Sequence, residues 1–165
     1  MGLDITAYRK IKRIGDIDPD YCDSAKNNVT LYVNTAFPKQ ADSITNGLYE
    51  YEGKSFGFRA GSYSWYNLWR NELAKFVGHT DDEIWKNHNI QCPFVELIDF
   101  ADNEGVIGPE TSKKLYKDFK DNLKRAMEYK PDPDVDDMSE WFIVKYKVWM
   151  KAFELASANG CVQFH

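Results

Sequence analysis

The period of the apolar residues changes at Gly61, and that change limits the folds open to this chain. Before it the apolar residues alternate or form short β-branched and aromatic runs. Leu3, Ile5 and Ala7 share one face of an extended segment, and Val29-Thr-Leu-Tyr-Val33 reads as a second strand. Gly47-Leu-Tyr-Glu-Tyr-Glu-Gly53 and Ser55-Phe-Gly-Phe-Arg59 give further short extended pieces. Residues 15–28, acidic and turn-rich, and the stretch from Phe37 to Asp42 read as loops.

After Gly61 the spacing becomes three and four, the period of a helix. Trp65, Trp69, Leu73 and Phe76 mark a first helix from about Tyr63 to Val77, with Gly78 as its stop. Gly108-Pro109-Glu110 opens a second, carrying Leu115, Phe119, Leu123 and Met127 and ended by Pro131 and Pro133. A third starts near Ser139, buries Phe142, Tyr146, Trp149 and Phe153, and stops at Asn159-Gly160. Cys161-Val-Gln-Phe-His165 alternates and adds a final strand. Strands first and helices after is an α+β order. The expected fold is a small antiparallel sheet from the N-terminal half, joined by the C-terminal strand and packed against three main helices. The 165 residues suit a single domain over 1–165.

Composition narrows the function classes. Ten Tyr, ten Phe and five Trp supply an aromatic core first, although Tyr and Trp also line binding surfaces. A net charge of −5 argues against broad binding to a phosphate backbone, while leaving room for a small anion held by one or two Arg. No run approaches the ~18 apolar residues of a membrane span, and Asp4 interrupts any secretory signal, so a cytoplasmic location is expected. Cys22, Cys92 and Cys161 lie far apart without a CxxC, as expected of reduced thiols. His79, His88 and His165 form no HExxH, and GxGxxG, Walker and GxSxG patterns are absent. No cofactor or metal is expected.

The densest polar constellation is Phe58-Arg-Ala-Gly-Ser-Tyr-Ser-Trp-Tyr-Asn-Leu-Trp-Arg70. With Trp65, Trp69, Leu73 and Phe76 on the core side, Tyr63, Asn67 and Arg70 fall on the opposite flank at i, i+4 and i+7. Ser62 and Ser64 flank the helix N-terminus, where open N–H groups favour an anion, and Arg59 is close by. A phenol, an amide, guanidinium groups and open N–H groups suit a phosphate or carboxylate ligand with a ring to stack. The plainer alternative makes Ser62 or Ser64 an N-cap and Arg70 a surface residue paired with Glu72 or Asp81.

A second constellation places Glu96, Asp99, Asp102 and Glu104 among Phe94, Leu97, Ile98 and Phe100. Such carboxylates can act as acid and base or hold Mg²⁺, but the spacing does not fit a Ca²⁺ loop. The plainer reading is a solvated acidic turn with Asp102 or Glu104 paired to Arg59 or Arg70, which adds both acids to the candidate set. Cys161 and His165 share a face of the last strand, a pairing that can make a nucleophile. Cys161 directly after Asn159-Gly160 reads more simply as a packed small residue.

Several blocks carry a resemblance. Met-Gly-Leu-Asp-Ile-Thr-Ala-Tyr8, Ser55-Phe-Gly-Phe-Arg-Ala-Gly-Ser-Tyr-Ser with Tyr66-Asn67 and Trp69-Arg70, Glu96-Leu-Ile with Glu104-Gly-Val-Ile-Gly-Pro109, and Lys151-Ala-Phe-Glu-Leu-Ala156 resemble a family of small phage and prophage proteins. The resemblance spans well over half of the chain and carries no activity across. It implies a phage accessory protein in the bacterial host cytoplasm, acting by binding. One such strategy sequesters nucleotide-derived immune signals without hydrolysis.

Three functions are therefore open: a non-enzymatic binder of a small anionic, nucleotide-like ligand that acts against host defence; a protein-binding inhibitor of a host factor; and a hydrolase using Glu96, Asp99, Asp102 and Glu104 with Mg²⁺. The first uses Arg59, Ser62, Tyr63, Ser64, Asn67 and Arg70 and requires Arg59 and Arg70 to converge. The expected partners are a small anion or a host protein, with no extended nucleic acid and no membrane. A homo-oligomer would follow if the pocket forms between subunits.

Overall fold

A computed structural model describes residues 2–18, 20, 27–101, 104–133 and 138–165. Its architecture is α+β, with two antiparallel sheets rather than one. The larger sheet contains β1 (Gly2–Tyr8), β5 (Phe56–Ser62), β6 (Gly105–Ile107) and β7 (Cys161–Phe164), in the order β5-β1-β7-β6. The smaller contains β2 (Lys12–Gly15), β3 (Asn28–Leu31) and β4 (Gly47–Glu50), in the order β2-β4-β3. The alternating C-terminal segment is a strand as expected, but it lies between β1 and β6 rather than at an edge.

Alternation along these strands gives the larger sheet two different faces. Leu3, Ile5, Ala7, Val162 and Phe164 are buried on the helical side. Tyr8, Val106 and Cys161 point the other way, into a second apolar cluster with Leu31, Ile44 and Tyr49 of the smaller sheet and its loops. Gln163 stitches the two sheets: its Oε1 accepts from the Tyr8 hydroxyl at 3.2 Å, and its Nε2 donates to the Thr30 carbonyl at 3.2 Å.

The helices are α1 (Tyr63–Phe76), α2 (Asp81–Lys86), α3 (Val95–Asp99), α4 (Pro109–Glu128) and α5 (Met138–Ala156). The long ones match the expected helices. Pro109 opens α4, whose apolar stripe buries Leu115 and Phe119. Helix α5 buries Phe142, Tyr146, Trp149 and Phe153. The aromatic share is indeed spent largely on a core, where Trp149 lies 5.0 Å edge-on to Phe58 and 5.8 Å in a stack with Trp69. Ser139 falls inside the first turn of α5, and the residues preceding Met138, 134–137, lie outside the described residues.

The expected burial of α1 needs correction. Trp65 is only partly buried, whereas Tyr66, Trp69, Arg70, Leu73 and Ala74 are all enclosed. The buried arc is wide because two short helices cover the flank expected to face solvent. One of them, α2, has a capping box: Thr80 Oγ1 accepts from the Glu83 N–H at 3.1 Å, and the Glu83 carboxylate accepts from the Thr80 N–H at 3.0 Å. The other, α3, packs Leu97 and Ile98 against the same side. No helix is long and apolar enough to cross a membrane among the described residues.

Candidate functional site

Strand β5 passes straight into α1 at Gly61, whose φ of +129° belongs to glycine and whose missing Cβ would stand 3.0 Å from the Trp65 Cβ. Ser62 then caps the helix, its Oγ accepting from the Trp65 N–H at 3.2 Å. The plainer reading of Ser62 therefore holds: its hydroxyl oxygen satisfies the helix. Ser64 is exposed on the first turn, and Tyr63 is 36% exposed beside it.

Arg70 is corrected from a ligand-binding residue to a buried one. It is 1% exposed, inside the arc closed by α2 and α3, and a ligand in solvent does not reach it. Its guanidinium donates to the Ile98 carbonyl and, at 2.6 Å, to the Asn67 Oδ1, so Asn67 is also committed to the fold. The rings of Tyr66 and Trp85 flank it at 5.0 and 5.2 Å. Arg59 lies elsewhere: it is exposed on β5 opposite Asp4, with its guanidinium folded over Gly2. Arg59 and Arg70 do not converge, so the anion site built on these two guanidinium groups is not formed.

The acidic constellation is also dispersed. Glu96 pairs with Lys114 at 2.6 Å. Asp99 lines a groove of about 380 Å³ with Phe37, Gln40 and His88, and burial raises its carboxyl pKa above the usual range, with His88 and Arg70 opposing. Glu104 lies apart, in a hollow with Tyr32 and His165, and its carbonyl accepts from Asn34. Asp102 and Cys22 lie outside the described residues. No group of three His, Cys, Asp or Glu is placed to hold a metal among the described residues. Cys161 is fully buried, which pushes its thiol far up, while His165 is exposed and hydrogen-bonded to Thr6 Oγ1 at 2.9 Å.

The nominated segment does border a cavity, but through its other face. A cleft of about 280 Å³ opens where β5 turns into α1 against the start of α5. Ala60, Gly61, Trp65 and Trp69 form one wall; Met138, Trp141 and Lys145 form the other. Trp69 is held flat by its stack on Trp149 and by donating its indole N–H to the Phe142 carbonyl at 3.4 Å. Trp141 is 45% exposed at the mouth. Lys145 is half-buried, with its ammonium 5.7 Å from the Trp141 ring and donating to the Arg59 carbonyl at 2.6 Å. Among the described residues, that bond uses one of its three ammonium donors, and Lys145 belongs to the cleft lining. Burial holds the Lys145 pKa below the usual lysine range.

The sequence pattern alone places Trp65 and Trp69 in the core and gives Lys145 no role. The signal for Lys145 is its spacing: Trp141 and Lys145 are four apart, on the flank of the Phe142–Tyr146–Trp149 stripe. Chemically, the cleft offers flat indole faces and one desolvated cation, a setting for a planar ring bearing negative charge. No protein-family model, curated protein or solved structure matches this chain.

Proposed function

We propose that this chain binds, without turning it over, a small anionic ligand with a planar ring, nucleotide-like in chemistry, in the tryptophan cleft. The observation that carries the reading is the facing of Trp65 and Trp69 on one wall by Trp141 and Lys145 on the other, with the Lys145 ammonium 5.7 Å from the Trp141 ring. A ring stacks on indole, and a phosphate or carboxylate takes the Lys145 ammonium. Of the nominated residues, Ser64 and Tyr63 lie at the adjoining helix start, and Arg59 contributes through its backbone carbonyl. The phage resemblance supports the setting: a host cytoplasm in which a signalling nucleotide is withdrawn from a defence system.

Tryptophan fluorescence tests this directly. Titration with nucleoside monophosphates is expected to quench the emission saturably, and Lys145→Gln to weaken the affinity at least tenfold. The sign of the pH dependence follows from Lys145. Its charge is present below its pKa, and burial lowers that pKa, so affinity falls as pH rises and starts to fall before an ordinary lysine would deprotonate. Absence of quenching with every mononucleotide overturns the proposal.

A second reading, a protein-binding inhibitor of a host factor, draws on one observation. Trp141 and Val144, one turn apart on α5, are 45% and 48% exposed. It is preferred if Trp141→Ala abolishes capture of a host protein while mononucleotides leave the fluorescence unchanged.

A further inference from the structure

The cleft is one end of a longer seam. Strand β5 is an edge of the larger sheet, and α5 runs beside it in the opposite direction: Lys145 reaches the carbonyl of Arg59, and Lys151 reaches the ring of Phe56. Six residues of helix separate the two lysines, ~9 Å along its axis. Three residues of strand separate their targets, ~10 Å. The two independent spacings agree, so the lysines stand at matched heights along one seam.

At the lower end a second hollow of about 280 Å³ repeats the chemistry of the first. Its aromatic floor is Phe56, with the Lys151 ammonium 4.4 Å above the ring centroid. Arg9 from the end of β1 lines the same hollow, its Nε donating to the Glu52 carbonyl at 3.4 Å. The one acid in the lining, Glu154, accepts from the Tyr116 hydroxyl at 3.0 Å. Between the hollows Phe58 is half-buried, 5.9 Å from Phe56, so the aromatic surface continues along the seam. A chain with a net charge of −5 thus places Lys145, Lys151 and Arg9 along one line of exposed and half-buried rings.

We propose that the seam holds a 5′-phosphorylated dinucleotide: one base in the tryptophan cleft, the other on Phe56 once the Lys151 ammonium leaves that ring for the linking phosphate, which Lys145 meets from the upper end, with the terminal phosphate on Arg9 in the lower hollow. This rests on the tryptophan cleft being a nucleotide site and extends it to a second ring. Two rings and the phosphate that links them match two aromatic hollows ~10 Å apart, whereas a mononucleotide fills one. Among the described residues the seam ends where β5 and α5 end, which leaves a longer strand no continuation there.

The test compares two sets of probes by tryptophan fluorescence: AMP, GMP, CMP and UMP against the matching 5′-phosphorylated homodinucleotides. The best dinucleotide is expected to bind at least tenfold more tightly than its mononucleotide. Lys151→Gln, and separately Arg9→Gln, are expected to bring it down to the mononucleotide's affinity. Both side chains are exposed, and circular dichroism melts confirm that the fold is kept. Equal affinities for the two sets, or a dinucleotide affinity unmoved by both substitutions, overturn the seam while the single-nucleotide cleft stands. No quenching by any probe overturns both.

Discussion

Arg70 has a cost that the rest of the fold offsets. Among the described residues its guanidinium is removed from water without a carboxylate in contact: Asp81 and Asp99 act only at a distance, and its Nε has no partner there. Burial accordingly lowers its pKa from the usual value. Two acceptors and two ring faces hold it, and they answer the geometry of a guanidinium more than its charge. One of those acceptors, the Ile98 carbonyl, also receives the Trp85 indole N–H at 3.3 Å, so it keeps a partner when Arg70 is replaced. Arg70→Met is therefore expected to stay within about 1.5 kcal/mol of wild type, and Arg70→Ala to lose about 2–4 kcal/mol through the cavity beneath Tyr66 and Trp85. Urea denaturation measures both, and neither variant is expected to alter ligand quenching of the tryptophans. A lost quench in a folded Arg70→Met would return this residue to the ligand site. Its burial was hidden because the flank of α1 looks polar when only long helices are considered. The cover comes from α2 and α3, and Thr80-Asp-Asp-Glu83 spelled the capping box of the first. Nothing comparable announces α3, which starts after Phe94 at a φ of +66°.

At the scale of elements, the turn from α5 into β7 fixes how the helical layer meets the sheet. Asn159 adopts the left-handed conformation, with φ 51°, and the carbonyls of Ala158 and Asn159 accept from Lys10 and Ile11 at 2.8 and 2.9 Å. Gly160 lies against the backbone of Tyr8 and Arg9, where any Cβ would collide with main-chain atoms that have nowhere to move. Gly160→Ala is expected to destabilise by about 1–3 kcal/mol, read as a lower denaturation midpoint with an unchanged slope; an unchanged midpoint would mean that β1 can shift away. This region was also the most legible. Helices α4 and α5 and strand β7 each keep one period without interruption, and Pro109 and Asn159-Gly160 punctuate them. Strand β6 was not legible: three residues within an acidic stretch carry no period, and only pairing with β7 defines them. The site divided in the same way. The segment 58–70 borders the tryptophan cleft, but a helix wheel cannot tell a core tryptophan from one lining a cleft beside the core.

For the whole molecule, β7 is the joint. It pairs with β1 on one side and β6 on the other, and its Val162 and Phe164 enter the main core while Cys161 enters the second. Removing residues 161–165 therefore opens the sheet in its middle. The truncated chain is expected to melt without a cooperative transition in circular dichroism, although its helical signal persists. A sharp melt at the wild-type Tm would show that the helices and β1–β5 suffice. The position of β7 also sets an order in time. It follows every other element in the sequence, so β1 leaves the ribosome some 153 residues before the strand that completes its second edge, counting from Tyr8 to Cys161. At ~5–20 residues per second that is a wait of ~8–30 s. Until β7 is made, the β1 edge that it will cover stays an unpaired, apolar strand edge, open to pairing with another chain.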